Sequence, residues 1–196
     1  AVTRSNPFRV IMYDYNSGDS KVSADITSYM NGYNDPRRLY YFTESTFDSI
    51  SINNYIGLRS GIQIPGGNTI KQYSSMVVSI DSKVLWMNAA ETAFLRAEGA
   101  LRGWNMGTPS SSASTAAEGF YNDGIRLSFR QWGASGADAY LTDATSTPLL
   151  YVDPVNSSFS YTGTAPTITI KWDETAPFET NLERIITQKW IANFPL

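Results

Sequence analysis

Apolar positions recur at helical spacing most clearly across residues 86–132. Ala90, Ala93, Phe94, Ala97 and Leu101 share one face, and Ala117, Phe120, Tyr121, Gly124, Ile125 and Ser128 share another. This is the i, i+3, i+4, i+7 pattern of helices that bury one side. It predicts two helices folded on each other, with residues 104–114 as an exposed polar insertion at the turn. Asn88 can accept from the first-turn N–H groups while Glu91 reaches back to it, and Gly103 stands where a helix stops. A second helix opens at about Thr115, where Thr115 and Glu118 have capping-box spacing, and Gly133 ends it. Gly124 costs that helix about 1 kcal/mol relative to Ala, which points to a close helix contact.

Shorter patterns flank the pair. Ile26, Tyr29, Met30 and Tyr33 define a helix over residues 23–31 with Ser23 as its cap, stopped by Gly32 and Asn34. Asp35, Pro36, Arg37 and Arg38 form a Pro-fixed turn, capped by Asp35, that leads into a helical turn at residues 39–42. This cluster reads either as a ligand clamp or as a structural cap with salt bridges. Residues 9–15 are β-branched and aromatic and predict a short strand. It breaks at a turn over residues 16–19. Asp14, Asn16 and Gly18 loosely match a calcium loop, but Gly falls one position early and the frame closes on Asp25 rather than Glu; a plain turn is the alternative.

Residues 43–82 hold no period, apart from a turn cluster at residues 64–68. Long aperiodic connections are often functional, and this one carries Tyr55, Arg59, Gln63 and Tyr73. Residues 138–143 read as a helical turn, and residues 146–166 as a loop bearing Tyr151, Phe159, Tyr161 and a sequon-like Asn156. Strict alternation over residues 167–172, with Ile168, Ile170 and Trp172 on one side, predicts a strand. A last helix over residues 178–194 has Phe178, Leu182, Ile185, Ile186 and Ala192 as its buried stripe. One domain over residues 1–196 is expected: loop-rich with short helices to residue 85, a helical hairpin at 86–133, then loop, strand and final helix.

Composition removes whole classes of chemistry. The 196 residues include no Cys and no His. That excludes a disulfide framework, a thiolate nucleophile, a Ser-His-Asp triad and His-ligated metal. No metal site or cofactor is expected. A net charge of −3 argues against a nucleic-acid partner, which needs clustered Lys and Arg. No apolar run approaches the roughly 20 residues that span a bilayer. Glu91 and Glu98 share a helix face, but seven residues separate their backbones by about 10 Å, wider than the ~5–9.5 Å of glycosidase carboxyl pairs. Glu98 also has Arg102 at i+4 for an ion pair.

With 12 Tyr and 5 Trp, the aromatics serve either a core or a sugar platform, whose rings stack on sugar C–H faces. Phe94 and Phe120 lie in helical stripes and belong to the core. The loop-proximal Tyr13, Tyr15 and Tyr55, with Arg59, are the candidate ligand-binding residues.

Several motifs together resemble one family. They are Ala89, Ala90 and Glu91 running to Gly103 through Phe94, Leu95, Arg96, Ala97 and Glu98, then Tyr121, Asn122, Asp123, Gly124 and Ile125 with Ser128. Asp35, Pro36 and Arg37 precede them, and the run from Ile185 through Gln188, Lys189 and Trp190 to Ala192 follows, all in that family's order. The chain resembles the SusD/RagB nutrient-binding lipoproteins. The resemblance implies a mainly α fold, an α/α superhelix built on tetratricopeptide-like hairpins with loop-rich regions and minor β. It also implies a lipid-anchored position on the outer face of the outer membrane, an oligosaccharide or other nutrient ligand, and a SusC-like TonB-dependent transporter as partner. The family is not enzymatic. Without a lipobox Cys, this chain resembles the C-terminal half of such a protein, truncated at both ends and lacking the anchor. Glycan binding is the leading expectation; docking on the transporter without sugar contact and carbohydrate hydrolysis are the alternatives.

Overall fold

A computed structural model describes residues 5–15, 18–47, 55–107 and 112–194. The chain divides into two compact units: unit 1 is Ala1–Val84 with Pro148–Pro166, and unit 2 is Leu85–Thr147 with Thr167–Leu196. Asn16, on which the calcium-loop reading depends, lies outside the described residues, as do Ser17, residues 108–111 of the insertion and the terminal Pro195 and Leu196.

Unit 1 begins with α1 (Pro7–Arg9), which runs into a π-helical turn, Val10–Asp14. The strand expected over residues 9–15 is therefore helical. Asn6 Oδ1 accepts from the N–H groups of Phe8 and Arg9 at 2.8 and 3.3 Å, and Pro7 supplies a helical φ at the first position. This local start outweighs β-propensity, which depends on having a sheet to join. α2 (Ala24–Gly32) is capped by Ser23, as its sequence predicts, and Asn34 beyond it takes a left-handed φ of 48°.

Asp35 and Arg37 are both fully buried. Asp35 Oδ1 accepts from the backbone N–H and from Nε of Arg37, each at 2.9 Å, and so starts α3 (Arg38–Tyr41). Of the two readings of this cluster, the geometry matches the structural cap. α4 (Gly67–Ile70) is a single turn in an otherwise irregular stretch. The irregular backbone is tied by an isolated parallel bridge, Ser23 with Leu58, and an antiparallel one, Phe42 with Met76. Ala24, Ile56, Tyr73 and Tyr151 form a core cluster, with Phe47, Leu58 and Tyr161 against it. Asp153, also buried, accepts from the hydroxyls of Tyr73 and Tyr151 at 2.9 and 2.8 Å and from two backbone N–H groups.

Unit 2 is built on the helical hairpin of α5 (Ala89–Leu101) and α6 (Ala113–Trp132). Asn88 Oδ1 accepts from the Glu91 N–H at 2.8 Å, and Gly103 has a left-handed φ of 78°. The α6 cap is Ser112, not Thr115: Ser112 Oγ accepts from the Thr115 N–H at 3.0 Å, so the helix starts earlier than the Thr115 and Glu118 spacing suggests. The predicted α6 face, from Ala117 to Ser128, is buried throughout. Phe94, fully buried, fills the space over Gly124. Glu98 pairs with Arg102 at 2.8 Å.

α7 (Ala137–Leu141) follows a left-handed Gly136. Residues 167–172 keep the expected alternation, with Ile168, Ile170 and Trp172 buried, yet no strand forms among the described residues. The extended backbone is held by other partners: Tyr121 Oη donates to the Ile170 carbonyl at 2.6 Å, and the Lys171 N–H to the Asp143 carbonyl at 2.9 Å. α8 (Phe178–Ala192) also differs from expectation. Phe178 and Ile186 are exposed, while Asn181, Arg184 and Gln188 are buried with Ile185, Ile191 and Ala192. Polar side chains take the inner face because partners await them: Asn181 Nδ2 donates to the Asp173 carbonyl at 2.9 Å and Gln188 Nε2 to Tyr140 Oη at 3.0 Å.

Candidate functional site

Unit 1 holds two adjoining clefts that share Ser28, Leu149 and Leu150. The first, about 460 Å³, is walled largely by apolar groups, among them Ile56, Val152 and Pro154, with Tyr55. The second, about 440 Å³, is lined by Asp25, Arg59, Tyr161 and two threonines. α2 and the returning segment 148–166 form both, tied where the Leu149 N–H donates to the Ser28 carbonyl at 3.2 Å. α2 is buried on most sides, so its polar residues face protein or cleft.

The hydrogen bonds divide these polar groups into satisfied and unsatisfied. Thr27 Oγ1 donates to the Ala24 carbonyl at 3.0 Å and accepts from the Gly57 N–H at 3.0 Å. Asn31 Nδ2 donates to the Tyr55 carbonyl at 2.6 Å, and its Oδ1 accepts from Arg38 at 3.2 Å. Ser28 is only 7% exposed, yet its Oγ has no hydrogen-bond partner among the described residues. The hydroxyl is thus open to the clefts rather than sealed in the core.

In the second cleft, Tyr161 Oη donates to Asp25 Oδ1 at 2.7 Å and Ser23 Oγ to Asp25 Oδ2 at 2.9 Å. Burial, then this bond to Asp25, push the Tyr161 phenol up to about 12. The Arg59 guanidinium lies 4.9 Å from the Tyr161 ring centroid and donates to the Ser160 carbonyl at 3.1 Å. Its remaining donors form no ion pair within 4 Å among the described residues. The clefts thus combine apolar walls with a free hydroxyl, a fixed carboxylate and a cation, a set suited to holding polar ligands by their C–H faces and hydroxyls.

Of the residues expected at the site, Tyr55 lines the first cleft and Arg59 the second. Tyr55 is 7% exposed, with the Arg38 guanidinium 5.6 Å from its ring centroid. Burial, then the nearby Glu44 carboxylate, raise its pKa. Tyr13 and Tyr15 line neither cleft. Tyr13 Oη donates to the Met76 carbonyl at 2.7 Å, whereas Tyr15 is exposed. Sequence reasoning missed Ser28, Asp25 and Leu149. The available signal was Thr27, Ser28 and Asn31 on a short helix with apolar residues on several sides. Nothing in the aperiodic segment 148–166 marks its return to α2.

A family model described as SusD-like, SusD and RagB outer membrane lipoprotein, matches residues 1–196. Among solved structures, a SusD homologue from Bacteroides uniformis is 48% identical, with a TM-score of 0.83 over 98% of this chain and 38% of that one. A SusD-like protein from Bacteroides thetaiotaomicron is 48% identical, with a TM-score of 0.75 over 88% of this chain and 35% of that one. A chitin-binding SusD homologue from Flavobacterium johnsoniae is 42% identical, with a TM-score of 0.83 over 100% of this chain and 38% of that one. The chain thus spans less than two fifths of the length of these structures. No match was found among curated proteins. The mainly α fold, the hairpin of α5 and α6 and the match along the whole sequence agree, and the chain belongs to the SusD-like family of SusD and RagB outer membrane lipoproteins.

Proposed function

We propose that this chain is part of a non-catalytic glycan-binding subunit of an outer-membrane uptake complex, lipid-anchored on the cell's outer surface and partnered by a SusC-like TonB-dependent transporter. The observation that carries the reading is the pair of clefts around the unpaired Ser28 hydroxyl. A relative 42% identical over the whole chain is described as chitin-binding. Sugar C–H faces lie against Leu149, Leu150 and Ile56, while sugar hydroxyls or acetamido groups pair with Ser28 and Arg59. Affinity gels and calorimetry with a panel of neutral glycans, chitooligosaccharides included, test it. Ser28→Ala and Arg59→Gln are each expected to weaken binding by about tenfold, the loss of one buried hydrogen bond. Binding that persists unchanged in both variants rules these clefts out, and turnover of any polysaccharide would establish a hydrolase instead.

A second reading, docking on the transporter without sugar contact, draws support from Trp86 and Met87, which are 93% and 82% exposed. Recovery of a transporter in pull-downs, lost in Trp86→Ala, with every glycan blank, would favour it.

A further inference from the structure

A third cleft lies within unit 2, about 510 Å³, between the extended segment 167–172 and α8. It is lined by Thr169, Lys171, Trp172, Asp173 and Arg184, among others. Arg184 is 8% exposed. Its guanidinium donates to Asn181 Oδ1 at 2.8 Å and to Thr169 Oγ1 at 3.3 Å, both neutral acceptors. Its Nε is buried without a partner, and no carboxylate lies within 4 Å of it among the described residues. This is a cation largely withdrawn from water with no carboxylate in ion-pair contact, Asp173 acting on it only from a greater distance. Asp35 and Arg37 show the paired alternative in the same chain.

Two acids, Asp173 and Glu174, share the cleft wall and accept from neutral donors. Asp173 Oδ1 accepts from the Thr175 N–H at 2.9 Å and from Thr175 Oγ1 at 2.7 Å. Glu174 Oε1 accepts from Thr115 Oγ1 at 2.6 Å. Lys171, exposed on the rim, has its backbone fixed on the Asp143 carbonyl at 2.9 Å and forms no ion pair among the described residues. The cleft therefore holds two cations, one buried and one exposed, outside ion-pair contact with its two acids among the described residues, around a volume within the range of small-molecule sites. Nη1 and Nη2 each keep a second N–H beyond the bonds to Asn181 and Thr169, and a guanidinium matches a planar carboxylate better than any neutral group.

We propose that this cleft binds the carboxylate of a sugar acid of the hexuronate class, held between Arg184 and Lys171, with Thr169 Oγ1 donating to a ring substituent. The carboxylate part stands on the burial of Arg184 without an ion pair and on Lys171 at the rim; the sugar part rests on the proposed glycan function. The site shares no lining residue with the clefts around Ser28, so failure of one is read separately from failure of the other.

The test is an NMR titration of the full chain with D-glucuronate, following the indole N–H of Trp172, which donates to Ser114 Oγ at 3.2 Å beside the cleft. D-glucose, acetate, inorganic sulfate and a short glutamate-containing peptide serve as parallel probes. D-glucuronate is expected to shift the Trp172 signal saturably and D-glucose to leave it in place. Lys171→Gln, a surface change, is expected to weaken D-glucuronate binding about tenfold. Arg184→Lys keeps the buried charge but loses the fork, and is expected to weaken it as much or more. Ser28→Ala, a readout of the other clefts, is expected to have no effect. A Trp172 signal indifferent to D-glucuronate overturns the proposal. Acetate or sulfate binding as tightly as D-glucuronate overturns the sugar-acid assignment, and tighter binding of the acidic peptide replaces it with a protein contact.

Discussion

Two glycines on α6 provide an internal measurement of helix contact. Gly119 and Gly124 sit on the same helix, and replacing either by Ala gains the same helix propensity, about 1 kcal/mol. Their surroundings differ. A Cβ on Gly119 meets nothing within 4 Å, whereas one on Gly124 would lie 2.8 Å from two carbons of the Phe94 ring. Phe94 is fully buried in α5, and Tyr121, equally buried, lies edge-on to it at 6.1 Å between centroids. The ring has little room to retreat. Overpacking of this kind costs about 1–3 kcal/mol. Gly119→Ala is therefore expected to stabilise by about 1 kcal/mol, and Gly124→Ala to range from neutral to about 2 kcal/mol destabilising. The gap between the two variants is the contact term, free of propensity. Urea unfolding followed by far-UV circular dichroism reads both. Shrinking the ring in the Gly124→Ala background, by Phe94→Leu, should recover about 1 kcal/mol as coupling in a double-mutant cycle. Equal shifts from Gly119→Ala and Gly124→Ala would refute the close approach of α5 and α6.

Three further outcomes follow from the same geometry. Gly57→Ala would place a Cβ 2.3 Å from the Ser23 carbonyl oxygen, a backbone atom, and is expected to destabilise unit 1 by about 3 kcal/mol in urea unfolding, the upper end for overpacking. Asp153→Ala leaves the Tyr73 hydroxyl and two N–H groups without their acceptor and should cost about 2–4 kcal/mol by the same assay. For Asp143, burial works against ionisation, but hydrogen bonds from Ser146 and Thr145 outweigh it and hold the carboxyl at about 2. A depressed folded pKa gives stability that is present above the ordinary carboxylate range and lost as pH falls towards 2; Asp143→Asn should flatten that acid limb in pH-dependent unfolding.

The helices legible in the sequence are those that bury one face with a regular period. The hairpin shows this, with its faces and Gly124 read from spacing alone. Alternation over residues 167–172 reported which side chains are buried and not what the backbone pairs with. Ile168, Ile170 and Trp172 point inward, but the carbonyl of Ile170 meets a tyrosine rather than a neighbouring strand. On α8 an apolar count misjudges the inner face, because Asn181 and Gln188 are buried through partners distant in sequence. Arg9, Val10 and Ile11 look like a strand until Asn6 and Pro7 are weighed as a helix start. The clefts were half legible. Tyr55 and Arg59 stand out by type, but Ser28 matters only because segment 148–166 folds back over it, and no local period encodes that return.

The treatment of buried polar groups separates scaffold from candidate chemistry. Asp35, Arg37, Thr27, Asn31 and Asp153 are all buried and all satisfied within the chain. Their hydrogen bonds fix irregular backbone in place, which unit 1 needs because it has few long helices. Ser28 and Arg184 differ from these five, and each lines a cleft. A polar group lining a cleft costs about 1–3 kcal/mol when a bound ligand desolvates it and leaves it unpaired. A ligand that pairs with it recovers that free energy, and an analogue lacking the matching group leaves the cost in place. This asymmetry is how a polar site discriminates between otherwise similar ligands. Aromatic surface such as Tyr15, open to solvent, adds area without that penalty and so without that selectivity. Selectivity for hydroxyl pattern should therefore follow Ser28, and selectivity for charge should follow Arg184, with general affinity left to the apolar walls.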